Sequence, residues 1–168
     1  MGQGTNNYTN VQLSRYVAAL ANRGTVFELS LLEKETDSDG NLIEDFTPVA
    51  SSHINIQDST WDAVAQGMRA VIQESSASRI FRDLPIEIAG KTGTAQESKS
   101  RGNHAFFISY GPYSNPEICV TVNIPYGYSS SNAAEVAKNV YQLYYGYTSV
   151  DEIINTGALK TSNVTIGD

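Results

Sequence analysis

The chain contains 168 residues, 40% of them apolar, with ten tyrosines, five phenylalanines and one tryptophan. This length and composition predict one globular domain with a hydrophobic core and exclude disorder along the whole chain. The net charge is −7, and lysine and arginine together number only 11. Because phosphate binding needs clustered basic side chains, this balance argues against a nucleic-acid partner.

The sequence contains no sign of a membrane segment, a metal centre or a cofactor. No apolar run approaches membrane-spanning length and no targeting segment opens the chain, so we expect it to be soluble by itself. The abrupt start in a glycine turn, residues 1–4, suggests a fragment of a longer protein. Cys119 is the one cysteine and lies in a strand-like run, which indicates a buried, inert thiol. His53 and His104 have no cysteine or carboxylate at metal-ligand spacing, so neither is assigned a catalytic role.

Two helices are predicted in the first half of the chain. Thr9 and Gln12 fit a capping box, and Gly24 is the predicted stop of the helix that follows. The apolar face of this helix comprises Leu13, Tyr16, Val17, Leu20 and Ala21. Asp58 or Ser59 is predicted to cap the second helix. The apolar face of the second helix comprises Trp61, Val64, Ala65, Met68 and Ile72.

Short strands are predicted between these helices, and a loop after them. Residues 25–35 are rich in β-branched and apolar residues, and turn formers at 37–41 lead into a second such run at 42–46. Together they predict a surface hairpin. Residues 48–56 are predicted to form a loop with at most a short strand. The polar, serine-rich stretch 74–84 is predicted to be a loop that leads to the central strand.

The central stretch, residues 86–96, begins as a strand. Two isoleucines alternate with Glu87, which predicts a strand with one buried face. Gly90 and Gly93 remove side chains from the same strand. A glycine inside a strand often marks a bulge, but it also allows another backbone or a ligand to lie close.

Three residues in this stretch carry polar groups that could hold an anion. Lys91 offers a positive charge, and Thr92 and Thr94 offer hydroxyl groups. The backbone amide of Thr94 is a further donor. Lys-Thr-Gly alone is a weak signal, so its surroundings decide how it is interpreted.

An antiparallel meander and a third helix complete the predicted fold. Strands are predicted at 104–110 and 118–124, each after a polar turn, with the central strand at one end of the meander. Residues 129–132 are predicted to cap a helix that ends at Gly146. Its buried face would comprise Ala133, Val136, Ala137, Val140, Leu143 and Tyr144. The polar tail 147–168 is predicted to contain at most a short helix.

Four separated stretches resemble class B penicillin-binding proteins. Residues 89–96 resemble the third motif of penicillin-binding proteins and serine β-lactamases, the Lys-Thr-Gly. Residues 2–24, 61–71 and 104–112 are similar to the preceding helices and the next strand of that family, in the same order. The resemblance implies an α+β transpeptidase domain in which an antiparallel meander packs against helices. Residues 1–146 would be its carboxy-terminal part.

The resemblance also implies an activity and a role for each residue of the motif. The family crosslinks peptidoglycan stem peptides by acyl transfer through a serine, as a D,D-transpeptidase, and is acylated by β-lactam antibiotics. Lys91 would orient the proton network and the substrate carboxylate, which the hydroxyls of Thr92 and Thr94 would bind. The Thr94 amide would be one oxyanion-hole donor, so Lys91 and Thr94 would be catalytic. Gly93 would let the substrate backbone pair along the strand.

Two motifs of the family are missing from this sequence. No serine has a lysine three residues later, and Ser76 is followed there by Arg79, which cannot act as a base. Ser130 and Asn132 imitate the second motif but follow the Lys-Thr-Gly strand, and residues 38–40 imitate a variant of it in a predicted turn. The missing motifs would therefore belong to an upstream half of the domain. The chain alone is expected to be inactive.

Three hypotheses follow for the function. The first is the Lys-Thr-Gly wall of a transpeptidase, whose partners would be stem peptides, β-lactams and the upstream half. The second is a module that binds β-lactam or stem peptide without turnover, and the third is a structural domain that has lost the chemistry. The family implies a location at the extracytoplasmic face of the bacterial membrane, through an anchor outside this chain.

Overall fold

A three-stranded antiparallel sheet with helices on both faces forms the centre of the protein. The computed structural model describes residues 7–97 and 100–160. In chain order, its elements are α1 (Asn10–Ala21), β1 (Thr25–Phe27), β2 (Lys34–Thr36), β3 (Leu42–Asp45), β4 (Ala50–His53), α2 (Asp58–Glu74), α3 (Ser78–Phe81), β5 (Ala89–Ala95), β6 (His104–Gly111), β7 (Ile118–Ile124), α4 (Ser130–Tyr144) and α5 (Val150–Lys160).

The predicted meander is confirmed as the sheet β5-β6-β7. Alternation along β6 sends successive side chains to opposite faces. Phe107 is fully buried in a cluster with residues of α3 and α4, whereas Tyr110 packs with Val17 of α1 and Met68 of α2. The sheet thus separates two apolar layers, and the α+β class expected from the sequence is confirmed.

The helix α1 forms as the sequence predicts. The Thr9 hydroxyl accepts a hydrogen bond from the Gln12 amide, and the Gln12 side chain accepts one from the Thr9 amide, which completes the capping box. Gly24 has a φ of +105°, and a Cβ there would lie 2.9 Å from the Trp61 ring. The glycine therefore both ends the helical segment and allows α2 to approach it. The predicted turn at residues 1–4 lies outside the described residues.

The prediction for the start of α2 was wrong. The helix begins at Asp58, and the capping residue is Gln57, whose side chain makes no capping hydrogen bond. Trp61, Met68 and Ile72 are buried as expected. Val64 was expected on the same face but is exposed, because the helix packs along a narrower stripe than its apolar pattern suggests.

Residues 74–96 differ from the prediction in two places. The expected loop 74–84 contains the short helix α3, whose Ile80 and Phe81 are buried in the main core. The central strand begins at Ala89 rather than at Ile86, because the chain bends at residues 85–86 before it joins β6. Burial of the apolar groups in this polar stretch therefore overrides its serine-rich composition.

The apolar face predicted for α4 was right at Ala133 and Ala137 but wrong at the four larger residues. The residues that face the sheet are Ala133, Ala134, Ala137 and Tyr141, while Val136, Val140, Leu143 and Tyr144 are exposed. Small side chains allow the helix to lie close to β6, and a Cβ on Gly111 would already be 3.1 Å from the Tyr141 ring. The cap is Ser129, within the predicted range 129–132, and its side chain accepts a hydrogen bond from the Ser131 amide.

The peripheral strands form two small sheets. β2 and β3 make the predicted surface hairpin, and both strands are exposed. Residues 25–35 are not one strand, since β1 pairs instead with β4, the short strand expected within 48–56. The expected tail contains α5, and residues 161–168 lie outside the described part of the chain.

Candidate anion-binding strand

The predicted site residues all lie on β5, at the edge of the main sheet. β6 pairs with one side of β5, and no strand in the described residues pairs with the other side. Lys91, Thr92 and Gly93 are half-buried and Thr94 is exposed. The structure therefore brings the predicted polar groups together on one accessible strand. Their roles remain predictions.

Neither glycine of β5 marks a bulge, and only Gly90 is needed for close packing. Every residue of β5 has one partner on β6, and the register from Ala89 to Ala95 has no shift. A Cβ on Gly90 would lie 2.7 Å from the Phe107 ring and 2.9 Å from the Ile108 carbonyl oxygen. A Cβ on Gly93 would meet only the Phe106 Cβ, at 3.3 Å. The packing of the core therefore requires glycine at position 90. At position 93 the absence of a side chain leaves the backbone of β5 open to a neighbouring molecule.

Lys91 keeps its charge available at the strand. Its Nζ donates a hydrogen bond to the Thr92 carbonyl oxygen at 2.7 Å. The ion pairs of the described residues involve other basic side chains, so no carboxylate neutralises this ammonium group there. An ammonium group has three donors, and those not used by the carbonyl can point to an anion beside the strand.

The amino end of β5 is held by an arginine that sequence reasoning did not single out. Arg69 of α2 donates to the Ile88 carbonyl oxygen at 2.9 Å and to the carboxylate of Glu87. Its guanidinium also lies over the Tyr113 ring, 5.9 Å from the centroid. The side chain is only 15% exposed. Its position directly after the buried Met68 was the signal in the sequence, because such a residue can reach the strand that the helix covers.

The carboxyl end of β5 is surrounded by polar groups. His104, the first residue of β6, pairs with Ala95 in the sheet and contacts Glu97 through its side chain. Arg101 and Tyr126 complete this cluster. The sequence analysis assigned no role to His104, because a single histidine without nearby carboxylates in sequence carries little signal.

None of the residues that imitate missing motifs lies on β5. Ser76 is in the exposed turn before α3, and residues 38–40 form the turn of the β2–β3 hairpin. Ser130 and Asn132 start α4, and Asn132 donates a hydrogen bond to the Gly127 carbonyl oxygen. Cys119 is a free, half-buried thiol, and burial raises its pKa to about 11.

An edge strand that carries Lys-Thr-Gly, in an α+β sheet covered by helices, is the arrangement that the resemblance to penicillin-binding proteins implied. The chain belongs to the penicillin binding protein transpeptidase domain family, whose model matches residues 1–142. It is 30% identical over 155 residues to penicillin-binding protein 2B of Streptococcus pneumoniae. It is 31% identical over 163 residues to the peptidoglycan D,D-transpeptidase MrdA of Haemophilus influenzae.

Solved structures of related proteins share the fold. Penicillin-binding protein 2B from Streptococcus pneumoniae matches with a TM-score of 0.74 and 27% identity, over 86% of this chain and 26% of that chain. Pseudomonas aeruginosa PBP2, solved in complex with WCK 5153, matches with a TM-score of 0.68 and 35% identity, over 85% of this chain and 32% of that chain. The fold is therefore that of a penicillin-binding transpeptidase domain.

The match covers only part of each relative. It includes 84% of this chain but 23% of the Streptococcus pneumoniae protein, and 86% of this chain but 25% of the Haemophilus influenzae protein. Within residues 7–97 and 100–160, no helix is long and apolar enough to cross a membrane. The same residues contain no group of three or more His, Cys, Asp or Glu side chains placed to hold a metal ion.

Proposed function

We propose that this chain forms one wall of the acyl-transfer site of a peptidoglycan D,D-transpeptidase. In this proposal β5 binds the carboxylate of a penicillin or of a peptidoglycan stem peptide while a serine outside the chain attacks the carbonyl. The relatives named as penicillin-binding proteins and as a D,D-transpeptidase support this substrate class. Residues 1–146 carry the part of the domain present here, and residues 147–168 form its tail.

The observation that carries the proposal is the open edge of β5, on which an ammonium group and two hydroxyl groups lie within four consecutive residues. Lys91 has no carboxylate partner in the described residues, and Thr94, three residues further along the strand, is exposed. A carboxylate accepts hydrogen bonds from both kinds of donor, and charge-assisted bonds are about twice as strong as neutral ones. We therefore assign carboxylate binding to Lys91, Thr92 and Thr94.

In this proposal a serine outside the chain supplies the nucleophile of acyl transfer, and this chain supplies groups that stabilise the reaction. The serine oxygen attacks the carbonyl carbon as its proton passes to a base outside this chain, and negative charge develops on the carbonyl oxygen. Collapse of this intermediate breaks the carbonyl C–N bond, and the amine leaves with the proton. The backbone amide of Thr94 is the donor assigned to that oxygen, and Lys91 stabilises the proton network of the nucleophile. Gly93 allows the substrate backbone to lie along β5, as an added strand does. Removing one such oxyanion donor typically lowers the rate by about 100-fold or more.

The test joins this chain to the part of Streptococcus pneumoniae penicillin-binding protein 2B that precedes the matched region. We expect this joined protein to be acylated by fluorescent penicillin and expect Lys91→Ala to slow acylation by about 100-fold. Lys34→Ala, on the exposed strand β2, is the matched control and should acylate at the normal rate. Binding of penicillin without acylation in the joined protein would favour the non-catalytic module instead.

The location follows from the same proposal. The relatives are bacterial proteins whose names describe penicillin binding and peptidoglycan transpeptidation. Peptidoglycan lies outside the cytoplasmic membrane, so we propose that the chain acts at the extracytoplasmic face, held there by an anchor outside these residues. Fractionation of cells that produce the parent protein tests this, since a cytoplasmic pool of the protein would contradict it.

A further inference from the structure

The imidazole of His104 connects two segments beside the carboxyl end of β5. Its Nε2 lies 3.2 Å from the Glu97 carboxylate, just after β5. Its Nδ1 lies 3.3 Å from the backbone nitrogen of Tyr126, in the turn between β7 and α4. The side chain is 23% exposed. One ring therefore holds together two loops that are far apart in the sequence.

The two contacts require one particular form of the ring. An ionised carboxylate only accepts hydrogen bonds, so Nε2 must carry a proton to bond to Glu97. The Tyr126 amide only donates, so Nδ1 must be without a proton to accept it. The neutral Nε2–H tautomer of His104 satisfies both partners. A second proton, on Nδ1, would face the Tyr126 N–H and break that bond.

The loop and the turn contact each other through further groups around this ring. The Tyr126 ring lies 4.9 Å from the imidazole, and Arg101 donates to the Tyr126 hydroxyl at 3.0 Å. The Tyr128 amide donates to the Asn103 carbonyl oxygen at 2.9 Å. Tyr126 itself has a φ of +55°, which a tyrosine adopts only where its surroundings hold it. Among the described residues, the charged group in contact with the imidazole is Glu97, and Arg101 contacts the Tyr126 phenol on which the imidazole packs.

This cluster is adjacent to the residue assigned to the oxyanion. His104 pairs with Ala95 in the sheet, and the next pair is Thr94 with Ala105. A shift of the His104 backbone would therefore move the end of β5 that carries Thr94. Displacements of about 1 Å in such a site can lower a rate by about 100-fold.

We propose that His104 is a positioning residue, which in its neutral Nε2–H form fixes the carboxyl end of β5 and the Thr94 amide. Protonation breaks the bond to the Tyr126 amide but keeps the Nε2–H bond to Glu97, so the carboxyl end of β5 loses its connection to the turn at Tyr126, while the amino end is unaffected. The consequence for acylation rests on the proposed function above. The bond itself can be measured in the chain alone.

The first experiment measures the ring and the amide in the full 168-residue chain. Long-range ¹⁵N–¹H NMR spectra should show the Nε2–H tautomer for His104 at neutral pH. Amide exchange, corrected for intrinsic rates at each pH, should be slow at Tyr126 while the ring is neutral and at least about tenfold faster once it is protonated. The Ile108 amide, in the central strand β6, should show no such change and reports that the chain is folded.

Two carboxamide variants separate the two bonds of the ring. His104→Asn can place an oxygen where Nδ1 lies, so it should protect the Tyr126 amide at every pH. His104→Gln can place an NH₂ where Nε2 lies, so it should keep the Glu97 contact and leave the Tyr126 amide unprotected at every pH. His53→Gln is the matched control, because His53 contacts Thr25 on the peripheral sheet and should change nothing at Tyr126.

The outcomes distinguish this inference from the proposed function. An Nδ1–H tautomer, or Tyr126 exchange that is independent of pH in the wild-type chain, would overturn the positioning role even if the variants do not fold. In the joined protein, His104→Gln should lower the acylation rate constant about tenfold and remove its pH dependence at acidic pH. Acylation that is unchanged by this variant also contradicts the role. A joined protein that never reacts with penicillin contradicts the proposed function but not the exchange result.

Discussion

The two ends of β5 are held by different kinds of interaction. At the amino end, Ala89 and Gly90 are buried, and the strand is fixed by core packing and by the half-buried Arg69. At the carboxyl end, Thr94 is exposed, and the nearby support consists of polar contacts around His104. Buried contacts persist over a wide range of conditions, whereas exposed polar bonds respond to protons, salt and ligands. The amino end of β5 is thus fixed by packing, whereas the position of its carboxyl end can change with protons, salt or a bound ligand.

The largest expected effect compares the two glycines of the strand. A side chain on Gly90 would meet the Phe107 ring and the Ile108 carbonyl, and backbone cannot move aside easily. We expect Gly90→Val to lower the free energy of unfolding by about 3 kcal/mol or to prevent folding. Gly93→Ala has one contact, with Phe106, and should cost about 1 kcal/mol or less. Urea unfolding of both variants measures this, and equal losses would contradict a difference between the ends.

An intermediate effect is expected from the arginine at the amino end. Arg69→Met keeps most of the side-chain volume but leaves the Ile88 carbonyl without its donor, which should lower the free energy of unfolding by about 2 kcal/mol. Arg79→Met is the matched control on the exposed side of α3 and should change it by less than about 0.5 kcal/mol. Thermal unfolding compares the two, and an Arg69 variant as stable as the control would contradict the account of this end.

The smallest expected effect is on the rate of thiol labelling at Cys119, which probes the amino end of β5. Cys119 lies opposite Tyr110, which lies opposite Ala89, so it reports on the same row of the sheet. Burial raises its pKa to about 11, and only the thiolate is nucleophilic. We expect labelling by a thiol reagent at pH 8 to be at least about tenfold slower in the folded chain than in urea.

The same pKa shift gives the pH dependence its sign. The unfolded thiol ionises at lower pH than the folded one, so the stability that protonated Cys119 contributes is present at neutral pH and is lost as the pH rises toward 11. Cys119→Ala should remove this alkaline loss. If Cys119 were labelled as fast in the folded chain as in urea, its thiol would be accessible to solvent, which would contradict tight packing at the amino end of β5.

The sequence was sufficient where the determining interactions are local. The capping box of Thr9 and Gln12 lies within one turn, and alternation predicted β6 and β7 directly. Lys91, Thr92 and Thr94 were also placed on one strand, because the alternating residues 86–88 that precede them predict a strand that continues into the motif. The site residues could therefore be named before the structure, although not their surroundings.

The rest depends on contacts between distant segments. β5 starts at Ala89 because the chain bends before it and Arg69 of α2 takes the Ile88 carbonyl, which no local pattern contains. The face of α4 was predicted at Ala133 and Ala137 only, because alanines, rather than the larger apolar residues of the pattern, allow close approach to β6. His104 gains its role from Tyr126, 22 positions further along the chain.

The most direct measurement of the central claim is intact-mass spectrometry after exposure to benzylpenicillin, for this chain alone and for the joined protein. The account predicts no adduct on the folded 168-residue chain and one equivalent on the joined protein, at a serine outside this chain. An adduct on a serine of the chain alone would contradict the claim that it supplies only the Lys-Thr-Gly wall of the site.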